Sequence, residues 1–313
     1  MPDLILHHYP MSPFSEKVRA VLGFKKLAWQ SVLIPTVMPK PDLLTLTGGY
    51  RKTPVLQIGA DIYCDTALIC DVLEHIQPSP TLYPAGQKGL ARTLAQWADS
   101  TLFWAAMGYN LQKPGMAELF AGLPIDAVKA FAADRSAMAQ GLNRPRPLDA
   151  MGAYKSYLRR MADMLNGQDF LLGEAPCIAD FAAYHPLWFT RTQVPGMAGI
   201  LQATPEVLGW LDRMAALGHG QMSRMTAAEA IAVCADAPAA TGVTDDYFQD
   251  DHGIALGSLV SVSAESFGAE PTVGELVAAT RTRFTLRRRD ARAGVVQVHF
   301  PRVGYALKQE LAT

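Results

Sequence analysis

Three short segments near the start of the chain set polar groups where helices and strands begin. They are Ser12-Pro13-Phe14, Lys52-Thr53-Pro54-Val55 and Asp65-Thr66. A serine before proline is a helix start: the hydroxyl caps free N–H groups and the ring takes the first helical position. Asp65 can cap a second helix and favours its positive end. Two helix N-termini on one edge of a small sheet make a site for a ligand bearing negative charge. A Thr-Pro pair entering a strand is a candidate cis bond. Such a bond would aim the backbone N–H and C=O of Val55 outward, ready to pair with an extended peptide.

The elements that must hold these groups follow from periodicity. Leu4-Ile5-Leu6 has strand character, and Ser15 to Phe24 reads as a helix with Val18, Val21 and Leu22 on one face. Ser31 to Ile34 is a second strand, stopped by Pro35. Val55–Ile58 and Ile62–Cys64 are two strands around a tight loop at Gly59-Ala60-Asp61. The helix opened by Asp65 carries an apolar stripe of Leu68, Ile69, Val72, Leu73 and Ile76. The order β-α-β then β-β-α predicts a four-stranded mixed sheet covered by helices over residues 1–80, the thioredoxin-like arrangement.

Residues 88–235 form an all-helical zone. Its helices run from Leu90 to Leu111, Ile125 to Leu142, Leu148 to Leu165, Ile178 to Phe189 and Pro205 to Leu217, with a shorter one after Thr226. Residues 240–313 change character. Leu259 to Ala264, Arg281 to Arg289 and Gly294 to Phe300 alternate apolar and polar residues, which predicts a small β-rich appended domain of unknown role.

The 313 residues suit two or three domains, and half of them are apolar, enough for buried cores. Lys plus Arg is 28 against 29 for Asp plus Glu, so the chain as a whole is not built to bind nucleic acid. Four scattered cysteines make neither a disulfide framework nor a CxxC site. No apolar run reaches the ~18 residues that span a membrane, and the first residues lack a signal-peptide pattern. A cytoplasmic protein is the expectation.

With these segments in place, residues 1 to about 220 resemble a cytosolic glutathione transferase. Ser12-Pro13-Phe14 resembles the Ser-Pro-Phe of the tau class and, with serine for cysteine, the Cys-Pro-Phe of the omega class. Lys52-Thr53-Pro54-Val55 resembles the family's Lys-Val-Pro-Val loop, and Asp65-Thr66 its Glu/Asp-Ser pair. Phe170 to Asp180 resembles the helical-domain signature, with Cys177 where Ser or Thr is usual. The resemblance implies glutathione as co-substrate. Val55 would pair with its cysteinyl backbone, Asp65 and Thr66 would hold the γ-glutamyl end, and Lys52 would neutralise the glycyl carboxylate. Thr53 and Pro54 complete the loop, and Ser12 would donate to the sulfur. It also implies a homodimer through the helix after Asp65 and the long helix from Leu90.

The reaction implied is attack by a bound thiolate on a small apolar electrophile. Lowering a thiol pKa of ~8.5 by ~2 units needs ~2.7 kcal/mol. One hydroxyl donor to a charged acceptor supplies ~1.5–3 kcal/mol and a helix N-terminus ~0.3–1. Ser12 and its helix are enough in magnitude, and no metal is expected. Serine cannot form a mixed disulfide, so no disulfide exchange is expected from this site.

Each residue also has a plainer reading. Ser12 reads as a helix cap alone, and Tyr9 is an alternative donor to the sulfur. Tyr9, Phe14, Trp104, Tyr109 and Trp188 are candidates for a co-substrate pocket, though aromatics at helical spacing also read as core. His7-His8 reads as a strand pair, and Asp180 as part of a helix capping box. Six arginines between Arg281 and Arg292 read as a charged edge strand, or as partners of Asp245, Asp246, Asp250 and Asp251, before a nucleic-acid surface. A non-catalytic binding or interaction protein of the same fold is the alternative function.

Overall fold

The computed structural model describes residues 3–142, 145–237, 248–249 and 251–310. The first zone forms as expected: β1 (Ile5–His8), α1 (Pro13–Phe24), β2 (Ala28–Leu33), α2 (Pro41–Thr47), β3 (Val55–Ile58), β4 (Asp61–Cys64) and α3 (Thr66–Ile76). β1 runs parallel to β2 and antiparallel to β3, and β3 pairs antiparallel with β4. Only α2 escaped the sequence reading. It starts at Pro41 in the first helical turn and ends at Gly48, whose φ is 78°.

The helical layer comprises α4 (Lys88–Trp97), α5 (Phe103–Asn110), α6 (Lys113–Leu119), α7 (Ile125–Met138), α8 (Pro147–Met164), α9 (Ile178–Trp188) and α10 (Pro205–Ala215). The helix expected to run unbroken from Leu90 to Leu111 is interrupted by a π turn, Ala98–Leu102. That turn carries Asp99 toward the buried side chains of Lys17 and His185. The expected capping role of Asp180 is present: its carboxylate accepts from the Cys177 and Leu171 N–H groups at 2.9 and 2.8 Å and from Trp210 Nε1 at 2.9 Å. Among the described residues no helix is long and apolar enough to cross a membrane.

After α10 the chain returns to the sheet. β5 (Gln221–Arg224) adds parallel to β2, and α11 (Ala227–Asp236) begins with a reciprocal cap between Thr226 and Glu229. Although read with the helical zone, α11 buries Ile231 and Cys234 in the same cluster as the C-terminal strands.

The C-terminal strands are β6 (Leu259–Ala264), β7 (Thr272–Ala279), β8 (Arg283–Asp290), β9 (Gly294–Pro301) and β10 (Tyr305–Gln309). β9 pairs parallel with β4, so the extension continues the first sheet as ten strands in the order β10-β6-β7-β8-β9-β4-β3-β1-β2-β5. Its arginine-rich strand is not at an edge: β8 lies between β7 and β9. Arg287 pairs with Glu275, Arg292 with Asp42, and Arg288 donates to the Thr45 carbonyl at the end of α2. Asp251 is held by Arg302, while Asp245, Asp246 and Asp250 lie outside the described residues.

Five strand steps separate β4 from β10, ~24 Å in a flat sheet at ~4.8 Å per strand. Yet the Tyr305 hydroxyl of β10 lies 3.0 Å from Asp65, the residue after β4. The extension therefore rolls back over the first domain. An irregular register between Leu276 and Ala278 of β7 contributes to that curvature. The seam with β4 is pinned by buried His299, which bonds Asp61 at 2.7 Å and Thr285 at 2.9 Å and stacks on Tyr63.

Candidate active site

The starts of α1 and α3 are brought together with the Thr53-Pro54 turn around one cavity of about 340 Å³. The Thr53–Pro54 bond is cis. Ser12 is the cap of α1, and its Oγ accepts from the Ser15 N–H at 3.2 Å. It is 2 % exposed, and among the described residues no acceptor takes its proton. The hydroxyl therefore serves as cap while keeping a donor for a ligand atom.

Asp65 caps α3 with a φ of 77°, and its Oδ1 accepts from the Ala67 N–H at 2.9 Å. Thr66 Oγ1 accepts from Lys17 Nζ at 3.1 Å, which leaves the threonine proton available to an acceptor in the cavity. Lys17 also bonds Asp99 at 2.5 Å, and the other Asp99 oxygen accepts from His185 Nε2 at 3.0 Å. Burial works against both charges. The Lys17–Asp99 pairing outweighs it, holding the ammonium above its usual range and the carboxyl below its own.

Val55 is placed differently from the expectation. It is fully buried in β3, opposite His7 of β1 and Cys64 of β4, and does not line the cavity. Thr53, on the other side of the cis bond, lines it instead. A residue inside the ladder has its main chain committed to neighbouring strands, whereas the residue before the turn does not.

Lys52 lines the cavity with its ammonium 5.3 and 4.8 Å from the ring centres of Tyr50 and Tyr305. Burial lowers its pKa. Lys40, Arg51 and Arg135 line the same space; Arg51 pairs with Asp134 at 2.7 Å and Glu270 at 3.2 Å, and Arg135 pairs with Asp134. Among the described residues Lys40 and Lys52 make no ion pair, so they are the ammonium groups that can meet a ligand's carboxylates.

The other half of the cavity is apolar and aromatic: Phe14, Phe103, Trp104, Phe131 and Phe189. Of the aromatic residues singled out in the sequence, Phe14 and Trp104 thus line the cavity. Tyr9 also lines the cavity, but its hydroxyl accepts from Arg135 at 3.1 Å. Tyr109 and Trp188 do not line it. The Tyr109 hydroxyl donates to the Met197 carbonyl at 3.0 Å, and Trp188 lies against the Arg19 guanidinium.

Lys17, Lys40, Tyr50, Asp99, Phe267 and Tyr305 were not singled out from sequence. Asp99 had one legible signal, as the single acid between Leu90 and Leu111. Phe267 and Tyr305 had none, because they are more than 200 positions from the first helix start and meet it only through the rolled sheet.

Residues 6–81 match the family model described as glutathione S-transferase, N-terminal domain, and residues 132–217 match glutathione S-transferase, C-terminal domain. A GST-like protein from Pseudomonas syringae of known structure is 43 % identical, over 99 % of this chain and 100 % of its own, with a TM-score of 0.82. FtsZ-localized protein A of Caulobacter vibrioides is 26 % identical over 184 residues, 57 % of this chain and 73 % of that protein. The β-etherase LigF from Sphingobium, at 19 % identity and a TM-score of 0.51, shares the fold over 68 % of this chain and 95 % of its own. Two domain matches in order, and a relative alike from end to end, establish that the chain belongs to the glutathione S-transferase family.

Proposed function

We infer that this protein is a glutathione-dependent transferase of serine type, activating the thiolate for attack on a small apolar electrophile. The observation that carries this reading is the convergence of the Ser12 hydroxyl, two helix N-termini and the Lys40 and Lys52 ammonium groups on one cavity with an aromatic half. In this reading Ser12 donates to the sulfur, and the first turn of α1 adds a favourable field. Thr53, rather than Val55, presents its main chain to the cysteinyl unit. Asp65 takes the γ-glutamyl ammonium and Thr66 the adjoining carboxylate. Lys52 and Lys40 face the glycyl carboxylate. Phe14 and Trp104 flank the electrophile.

The test is the thiol pKa of bound glutathione, followed by thiolate absorbance. Ser12→Ala removes a donor to a charged acceptor worth ~1.5–3 kcal/mol, so that pKa should rise by about 1–2 units. Conjugation of an activated aryl halide at pH 7 should fall about 10- to 100-fold. An unchanged thiol pKa in the variant would remove Ser12 from this role. Assembly as a homodimer through α3 and α4 belongs to the same reading and is checked by sedimentation velocity.

The similarity to FtsZ-localized protein A favours a second reading, a protein of this fold that binds a partner without turnover. Glutathione binding without conjugation across a panel of electrophiles, or no binding at all, supports the second reading over the first.

A further inference from the structure

The extension does more than cover the β4 edge: two of its side chains reach the cavity region from the far end of the sheet. Tyr305, 5 % exposed, donates its hydroxyl proton to Asp65 Oδ2 at 3.0 Å. The other carboxylate oxygen is held by the Ala67 N–H at 2.9 Å, and the Asp65 N–H donates to the Tyr50 hydroxyl at 3.1 Å. Tyr50 and Tyr305 lie 6.4 Å apart between ring centres, and the Lys52 ammonium sits over both rings. Asp65 is thus fixed at its main chain and at each carboxylate oxygen, with its left-handed backbone at φ 77°. Of these three restraints, one comes from 240 residues further along the chain.

We propose that Tyr305 is a positioning residue for the ligand site, orienting the Asp65 carboxylate toward the γ-glutamyl ammonium of glutathione. This rests on the glutathione reading above. Each carboxylate oxygen keeps lone pairs beyond the bond it already accepts, so Asp65 can still receive an ammonium. Without the Tyr305 hydroxyl only the Ala67 N–H still holds the carboxylate, through Oδ1; Oδ2 loses its fixed direction, and the ammonium loses a pre-aligned partner.

The experiment is calorimetric binding of two ligands to the full-length wild type and Tyr305→Phe, a change that keeps the ring under Lys52. One ligand is glutathione. The other is glutaryl-cysteinylglycine, which lacks only the α-amino group. Tyr305→Phe should raise the Kd for glutathione about tenfold and leave that for the deaminated ligand within about twofold. Equal affinities of both proteins for glutathione would overturn the proposal, as would the same loss for both ligands. A wild type that binds neither ligand overturns the glutathione reading itself, and the proposal with it.

An independent observation places a second extension residue on the electrophile side. Phe267, in the β6–β7 loop, lines the cavity and meets Trp104 edge-on at 5.4 Å. Gly268, at φ +67°, donates its N–H to the Met138 carbonyl at the end of α7 at 2.8 Å. A Cβ at Gly268 would stand 2.8 Å from the Met138 side chain, so glycine lets the loop close onto the helical layer. We propose that Phe267 forms a wall that limits the length of group carried on the sulfur of bound glutathione, which rests on the same glutathione reading. Phe267→Ala should strengthen binding of S-hexylglutathione relative to S-methylglutathione about fivefold or more, read as the ratio of Kd values. An unchanged ratio would overturn this assignment while leaving Tyr305 untouched.

Discussion

Burial pushes the Lys40 ammonium down to about 8, with Arg135 and Arg51 acting in the same direction and Asp134 against them. Its nitrogen donates to the Arg51 carbonyl at 3.1 Å and faces the Thr53 hydroxyl at 3.4 Å, on the wall of the cavity. A bound carboxylate favours the charged form, so ligand binding and protonation of Lys40 reinforce one another. Below about pH 8 the charge is present and contributes to affinity; above it the contribution fades. Wild type should therefore bind S-methylglutathione more tightly than Lys40→Met at pH 7, by about tenfold, with the two converging by pH 9.5. A ratio that stays constant across this range would show that Lys40 does not meet the ligand. The thioether keeps the sulfur from titrating, and the variant cancels the ligand's own amine.

At the scale of elements, the extension and the α2–β3 connection meet backbone to backbone. A Cβ on Gly49 would fall 2.0 Å from the Pro271 carbonyl oxygen, just before β7, and backbone cannot yield as a flexible side chain can. Thr272 reinforces the contact by accepting from the Tyr50 N–H at 3.1 Å and donating to the Thr47 carbonyl at 3.1 Å. Gly49→Ala should cost about 1–3 kcal/mol in denaturant unfolding. Gly89→Ala, in α4 with open space around the added methyl, should be neutral or stabilising by up to about 1 kcal/mol. Equal effects at the two positions would deny the close approach. Local signals made most elements legible: Ser12-Pro13 began α1, Asp65 began α3, and period two marked β6, β8 and β9. The missed elements lacked such signals. β5 is four exposed residues in Gln-Met-Ser-Arg, held by main-chain pairing to β2. β7 carries a glycine and a register irregularity that blur its alternation.

At the scale of the whole molecule, partner choice between strands was what sequence could not supply. Alternation identifies a strand but not its neighbour, so nothing in Gly294–Pro301 announced that it would pair with β4. The candidate site divides in the same way: Ser12, Thr53 and Asp65 were legible from local turns, while the tyrosine and phenylalanine of the extension were not. Removing residues 238–313 would bare the edge of β4 and uncover Ile62, Cys64, Ile231 and Cys234, which share one cluster with Val298, Phe300 and Leu286. Losing several buried side chains at ~1.5–3 kcal/mol each is comparable with the ~5–15 kcal/mol by which domains are stable. The shortened protein should elute as aggregate in size-exclusion chromatography; a monodisperse product that still binds glutathione would contradict this. The rolled sheet also has a consequence for synthesis. Asp65 leaves the ribosome long before Tyr305, so a nascent chain that has already folded its first 80 residues still carries an unfinished pocket. Counted from Asp65, translation must run 240 codons further before the Tyr305 hydroxyl can swing into place.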